Sequence, residues 1–319
     1  MRRLFTAALA AAITGLCFWL FLTPAVIEAL AQLASQAKLA PLLVAFALTG
    51  VVQWLRAWRF AVLSSGRPTL PDLPMLAITL KLSFLNFVLP FRLGELGYPA
   101  LMRQQYGHGL LRSAGVLVLA RLFDLATVLA ILCGAAAIFY ATPIGRLGLV
   151  LGALACAASP LALAPLAQAL APLLLRRTRR ARDEVDRTPG AAIWPAKRGA
   201  SGHAATVVAV LLGFALWLLF GLAAVLVAQA VVDSVGPAAA MLGAAAGNLA
   251  FALPVNGIAG LGPAQAAWVL ATTWTGVPRQ DAVVSALALH AVVLSNALLL
   301  GGLAFAGGLG RPLRQYPLS

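Results

Sequence analysis

Five ionisable side chains stand in stretches apolar enough to be buried in a membrane. Lys81, Arg92 and Glu95 fall within "KLSFLNFVLPFRLGELG" (81–97), and Arg121 and Asp124 fall within "LARLFDLATVL" (119–129). A charge at the centre of a membrane helix costs about 3 kcal/mol on insertion scales, so all five facing lipid would cost about 15 kcal/mol. They must face a protein interior or a wet cavity. Arginine offers a planar fork of donors well matched to phosphate, and a nearby carboxylate can orient that fork or carry a proton. The chemistry implied is the binding of an anion at depth. Arg121 and Asp124 are also three apart on one helix, so they could pair with each other or with Glu95 and simply hold a bundle together. Both readings stay open on the residues alone.

The backbone around these charges is broken. Pro90, Gly94 and Gly97 interrupt the first segment, and Pro254, Gly262 and Pro263 interrupt "LPVNGIAGLGP" (253–263). Irregular backbone at membrane depth is tolerated only when protein or water satisfies its polar groups. Each break is followed by a short weakly apolar arm, 94–105 and 263–275, too short to cross a bilayer alone. The arms would begin with free N–H groups near Gly94 and Gly262, an environment that favours anions; Pro263 suits a first helical position. Gln265 and His290 fall in the second half where Glu95 and Arg121 fall in the first, at spacings of 25 and 26 residues. His290 reads either as hydrogen-bonded structure or as a proton relay. Asn86, Asn248 and Asn256 read as partners for broken backbone or as ligand contacts. Arg56 and Arg59, in "WLRAWRFAVL", read as headgroup anchors that snorkel beside Trp54 and Trp58, or as selectors of a headgroup.

No phosphate-binding loop, zinc-protease helix or nucleophile elbow is present, so the expectation is a protein that is not an enzyme. No metal and no cofactor are expected, and Cys17, Cys133 and Cys156 lack the spacing of a metal site or disulfide framework.

The elements that must position these residues follow from composition. Of 319 residues 62% are apolar, and the mean hydropathy is +0.94. Such a chain is a polytopic, all-α membrane protein. Apolar spans lie near 4–23, 39–63, 74–90, 113–140, 144–171, 204–232, 238–253 and 281–306, about eight in all, including two re-entrant hairpins. With the N-terminus inside, seventeen basic residues fall on the cytoplasmic side and three outside, which satisfies the positive-inside rule. The net charge of +14 is then directed at anionic headgroups and not at nucleic acid. The order of elements repeats with inverted orientation. Residues 1–140, with the hairpin 74–105, form one repeat; residues 141–319, with a basic cytoplasmic loop at 172–203 and the hairpin 238–275, form the other. Inverted repeats with broken hairpins typify secondary transporters, whose sites lie near the midplane.

"LRAWRFAVL", "NFVLPFRLGELGYPALMRQ", "LARLFDLATVL" and "LPVNGIAGLGPAQ" resemble the flippase-like domain family, the transmembrane region of lysylphosphatidylglycerol synthases. The resemblance spans most of the chain. It implies a domain that moves or handles lipids between leaflets. Its LP-x-R-x-GE pattern falls on Leu89, Pro90, Arg92, Gly94 and Glu95, and its R-x-x-D pattern falls on Arg121 and Asp124. Gln265 and His290 depart from the Glu and Arg expected of relatives, so no coupling role carries over to the second half. The sequence ends at Ser319, soon after the last span, and is expected to be a stand-alone member without the soluble transferase domain.

The expectation is therefore a multi-pass protein of a bacterial-type cytoplasmic (inner) membrane with both termini cytoplasmic, binding an anionic lipid or lipid-linked substrate. Arg92, Arg121, Glu95, Asp124, Lys81, Arg56, Arg59, Gln265 and His290 are its candidate substrate-binding residues. A homo-oligomer or a lipid-modifying enzyme are the expected protein partners; the alternative function is a non-transporting subunit that docks or regulates such an enzyme.

Overall fold

A computed structural model of the chain describes residues 37–175, 200–253 and 257–307. The first expected span, 4–23, the break residues Pro254 and Asn256, and most of the basic loop lie outside the described residues. Within them the protein is helical: α1 (Leu39–Ser65), α2 (Leu73–Val88), α3 (Gly97–Tyr106), α4 (Leu110–Phe139), α5 (Pro143–Leu175), α6 (Ala200–Val231), α7 (Pro237–Phe251), α8 (Pro263–Trp274) and α9 (Arg279–Ala306).

Five of these helices, α1, α4, α5, α6 and α9, are long and apolar enough to cross a membrane, and the chain is a multi-pass membrane protein. The apolar helices α2 and α7 have 16 and 15 residues, about 24 Å at 1.5 Å per residue, which is short of a bilayer core. Local chemistry sets the ends. Asp72 caps α2 through a bond from Met75 N–H at 2.9 Å. Left-handed Gly66 closes α1, its N–H returning to the Val62 carbonyl.

The packing is reciprocal. α1 lies along α6, α9 packs on α2, α4 packs on α7, and α7 pairs along its length with α8. Small residues allow these approaches, as lipid-embedded helices require. A Cβ on Gly301 of α9 would lie 2.5 Å from Phe84 Cβ and 2.9 Å from the Leu80 carbonyl of α2, and one on Gly243 of α7 would lie 2.9 Å from Trp268 of α8.

Among the described residues, each break contains a 3-10 turn. Leu89, ahead of a proline, is extended (φ −93°, ψ 130°), and Pro90–Leu96 then winds as a 3-10 segment leading into α3. Ile258–Gly260 is its counterpart before α8. Each segment holds one non-glycine residue in the left-handed region, Arg92 at φ 55° and Ala259 at φ 57°. Such backbone is uncommon for non-glycine residues and concentrates at functional sites. The returning helix α3 begins at Gly97 and not at Gly94. Gly94 instead presses against the last turn of α2, where a Cβ would fall 2.6 Å from Asn86 N and from Leu85 C.

Candidate functional site

α1, α2, both 3-10 turns, α4, α6, α7, α8 and α9 line a cavity of about 740 Å³. Arg56, Arg92, Arg121, Glu95 and Asp124 gather on its wall, contributed by three segments that are far apart in sequence.

Two carboxylates organise the arginines. Asp124 lies 2.7 Å from Arg59 Nη1 through Oδ1 and 3.0 Å from Arg121 Nη1 through Oδ2, and the indole N–H of Trp217 on α6 donates to Oδ1 at 2.7 Å. Glu95 Oε1 lies 2.8 Å from Arg121 Nη2 and also pairs with Arg92. Arg121 thus bridges both acids. Its side chain is 28% exposed, against 1% for Arg59, which places Arg121 on the cavity wall and Arg59 behind Asp124. The three apart spacing of Arg121 and Asp124 does make a pair, yet that pair sits inside a larger cluster open to the cavity.

Arg92 does more than pair. Its Nη1 donates at 2.9 Å to the carbonyl of Phe251, at the C-terminal end of α7, and its guanidinium lies 5.0 Å from the Phe251 ring centre. A cation is favoured at that end of a helix. Arg92 therefore joins the first break to the second. The left-handed backbone at Arg92 is the local geometry from which the side chain makes this crossing.

Arg56 has a different environment. Its Nη1 donates to Gln53 Oε1 at 3.1 Å, an oxygen that also accepts from Ser83 at 3.0 Å. No carboxylate pairs with it among the described residues. Four arginines, Arg56, Arg59, Arg92 and Arg121, face two carboxylates, Glu95 and Asp124, so the cluster carries a formal charge of +2.

Three expectations need correction. Arg59 does not snorkel to the membrane surface: the face of α1 that carries it packs on α4 and α6, and Gly213 of α6 leaves room for its guanidinium. Lys81 stands apart from the cavity, its ammonium 5.5 Å from the Phe305 ring centre on α9. The Gly262 N–H, expected to be free for an anion ahead of α8, instead donates to Gln265 Oε1 at 2.7 Å.

Among the described residues, the second half lines the cavity with no Asp, Glu, Lys or Arg. Gln265 Nε2 meets His290 Nδ1 at 2.9 Å, and both residues line the cavity with Asn248 and Asn296. Pro263 begins α8 and Gly262 precedes it at φ 132°, a conformation open to glycine. Sequence reasoning passed over Gln53, Ser83, Asn296 and Trp217. The first three are polar residues within apolar spans, a signal that was available. Trp217 carried none, since an indole in a membrane helix is ordinary and its partner lies 93 residues away.

Comparison with curated proteins and with solved structures returns no match. A family model described as "Lysylphosphatidylglycerol synthase TM region" matches residues 7–301. The match covers all of the described helices but the last turn of α9, and with it the whole cavity. The chain belongs to the family of lysylphosphatidylglycerol synthase transmembrane regions.

Proposed function

We propose that the protein is a lipid transporter of the flippase type that takes an anionic, phosphate-bearing headgroup into the cavity between its two halves. The surplus of two positive charges around the cavity carries this reading. A buried cluster that only held helices together would be expected to balance its charges, because an uncompensated ion at depth is costly. A phosphodiester at Arg56, Arg92 and Arg121 would offset that surplus through charge-assisted hydrogen bonds. Arg59 and Asp124 hold Arg121 in place, and Glu95 spaces Arg92 from Arg121.

The inverted-repeat reading has its own support. The reciprocal packing of α9 on α2 and α4 on α7, the two left-handed residues and the two pairs Glu95–Arg121 and Gln265–His290 all relate the halves. Alternating exposure of a site held between such halves is the usual means of transport. With Arg56 and Arg59 moved into the protein, fifteen basic residues remain on the expected cytoplasmic side against three outside. That bias supports a cytoplasmic membrane with both termini inside.

The test is lipid binding and translocation by the purified protein in proteoliposomes, with Arg56→Gln as the probe. Arg56 is the cation whose loss strands no carboxylate. Anionic lipid should bind about tenfold less tightly to the variant, with translocation falling in step and thermal stability nearly unchanged. Wild-type translocation by Arg56→Gln would count against the reading. Displacement of bound lipid by soluble glycerol 3-phosphate as readily as by phosphatidylglycerol would assign the cavity to a soluble anion instead.

A further inference from the structure

The charge of the cavity is locked against protons. Among the described residues two carboxylates line it, Glu95 and Asp124. Glu95, on the first 3-10 turn, is faced by Arg92 of the same turn and by Arg121 of α4; Asp124 of α4 is faced by Arg59 of α1, by Arg121 and by the indole N–H of Trp217 on α6. Each acid therefore answers two guanidiniums. Adding a proton to either would raise the surplus of the cluster from +2 to +3 at depth, whereas the adjacent cations favour the ionised form. Arginine itself keeps its proton throughout the range in which proteins work.

The other titratable side chain on the described wall is His290 of α9. Its Nδ1 faces the Gln265 amide of α8 at 2.9 Å, and Gln265 Oε1 is taken by the Gly262 N–H, so the amide presents its Nε2 donor. A proton arriving at Nδ1 would set donor against donor. On the α2 side Phe87 meets the ring edge-on, and Phe251 in turn stacks on Phe87 and lies under the Arg92 guanidinium. Both carboxylates of the cavity are committed to arginines and neither is paired with this ring. A metal cation travelling with the lipid would fare no better, because it would enter a cluster of charge +2.

A carrier whose own charge is fixed passes on the charge of its cargo. Over one full cycle the protein returns to its starting state, so any charge the cluster moves on the loaded step it moves back on the empty one. The net charge displaced is that of the headgroup plus any ion that accompanies it. We infer that translocation is electrogenic and uncoupled from protons: each turnover carries one net negative charge for a monoanionic phosphodiester, and the membrane potential sets its direction. A membrane negative inside drives the anion to the outer leaflet, with the leaflet ratio changing tenfold for each ~60 mV. This rests on the transporter reading and names its driving force.

The experiment uses the purified full chain in proteoliposomes with two probes labelled on an acyl chain, phosphatidylglycerol as a monoanion and phosphatidylcholine with no net charge. The steady-state leaflet ratio is read by quenching the outer label with an impermeant reagent. A potassium gradient with valinomycin, set to ~60 mV, should move the phosphatidylglycerol ratio about tenfold toward the positive side, reverse with the sign of the potential and leave phosphatidylcholine unmoved. A pH gradient with the potential clamped at zero should leave both ratios where they stand without a gradient. Arg56→Gln should approach the same final ratio more slowly, since the endpoint depends on the charge of the lipid and not on that of the site.

Movement driven by the pH gradient at zero potential overturns the inference and makes Glu95, Asp124 or His290 a proton carrier. A ratio that ignores both gradients while the phosphatidylglycerol probe still equilibrates overturns it as well, because a compensating ion must then travel with the lipid. A shifted endpoint in Arg56→Gln does the same, since the charge of the site would then enter the net transport. A probe that never crosses defeats the transporter reading, and the inference with it.

Discussion

Gln265 and His290 meet at 2.9 Å across 25 residues of sequence, in the relation that Glu95 and Arg121, 26 residues apart, hold at 2.8 Å. One pair is neutral and the other ionic, yet each ties a broken segment to the long helix that follows it: Glu95 joins the first 3-10 turn to α4, and Gln265 joins α8 to α9. Gln265 Oε1 is engaged by the Gly262 N–H, so Nε2 must be the donor to His290 Nδ1, and the ring proton resides on Nε2. The neutral pair should therefore act as structure. In a double-mutant cycle of Gln265→Leu and His290→Leu, read by thermal unfolding in detergent, the coupling should be about 1 kcal/mol. Additive effects would mean that the two side chains do not support one another.

Asp124 is the counter-ion of a guanidinium that is 1% exposed. Asp124→Ala should cost about 3–5 kcal/mol, because it strands Arg59 with an unpaired buried charge. Little monodisperse protein should be recovered by size exclusion after extraction. Arg59→Met in the same chain should restore much of the yield, since a buried pair is often replaceable by apolar side chains of similar volume. A normal yield of the single variant would show that Arg59 finds another partner.

Gly94 and Gly97 stand three apart in the same break and should respond in opposite ways. A methyl at Gly94 meets backbone atoms of α2 at 2.6 Å, and backbone cannot swing aside as a side chain can. Overpacking of this kind costs about 1–3 kcal/mol or more. At Gly97 the nearest atom is Leu85 Cδ1 at 3.5 Å, and the residue opens α3 with helical angles, so alanine fits. Thermal melts should place Gly94→Ala well below the wild type and Gly97→Ala at or above it. The reverse order would refute the close approach of the turn to α2.

Arg92 engages Glu95, the Phe251 carbonyl and the Phe251 ring together. A lysine keeps the charge and loses the flat fork. Arg92→Lys should lower thermal stability by about 1–3 kcal/mol, the worth of a charged hydrogen bond, and should loosen the contact between the two breaks. Hydrogen exchange at the C-terminal turn of α7 reports that contact directly. Unchanged protection there would show that Arg92 does not hold the halves together.

Much of this protein was readable from residue types alone. Apolar spans, the prolines and glycines that end them, and the demand that Arg92, Glu95, Arg121 and Asp124 avoid lipid all follow from free energies of transfer and backbone conformation, which act on each residue locally. α8 begins at the expected Pro263 for that reason. Which charges meet was decided by the tertiary structure. Trp217 reaches Asp124 across 93 residues, and Arg92 reaches Phe251 across 159. Arg59 is buried and Lys81 lies outside the cavity because helix rotation and packing select the face each residue occupies, and an apolar span reads much the same from every side. Neighbour identity in a helical bundle is a property of how the helices assemble; the residue types alone set only the cost of leaving a charge without one.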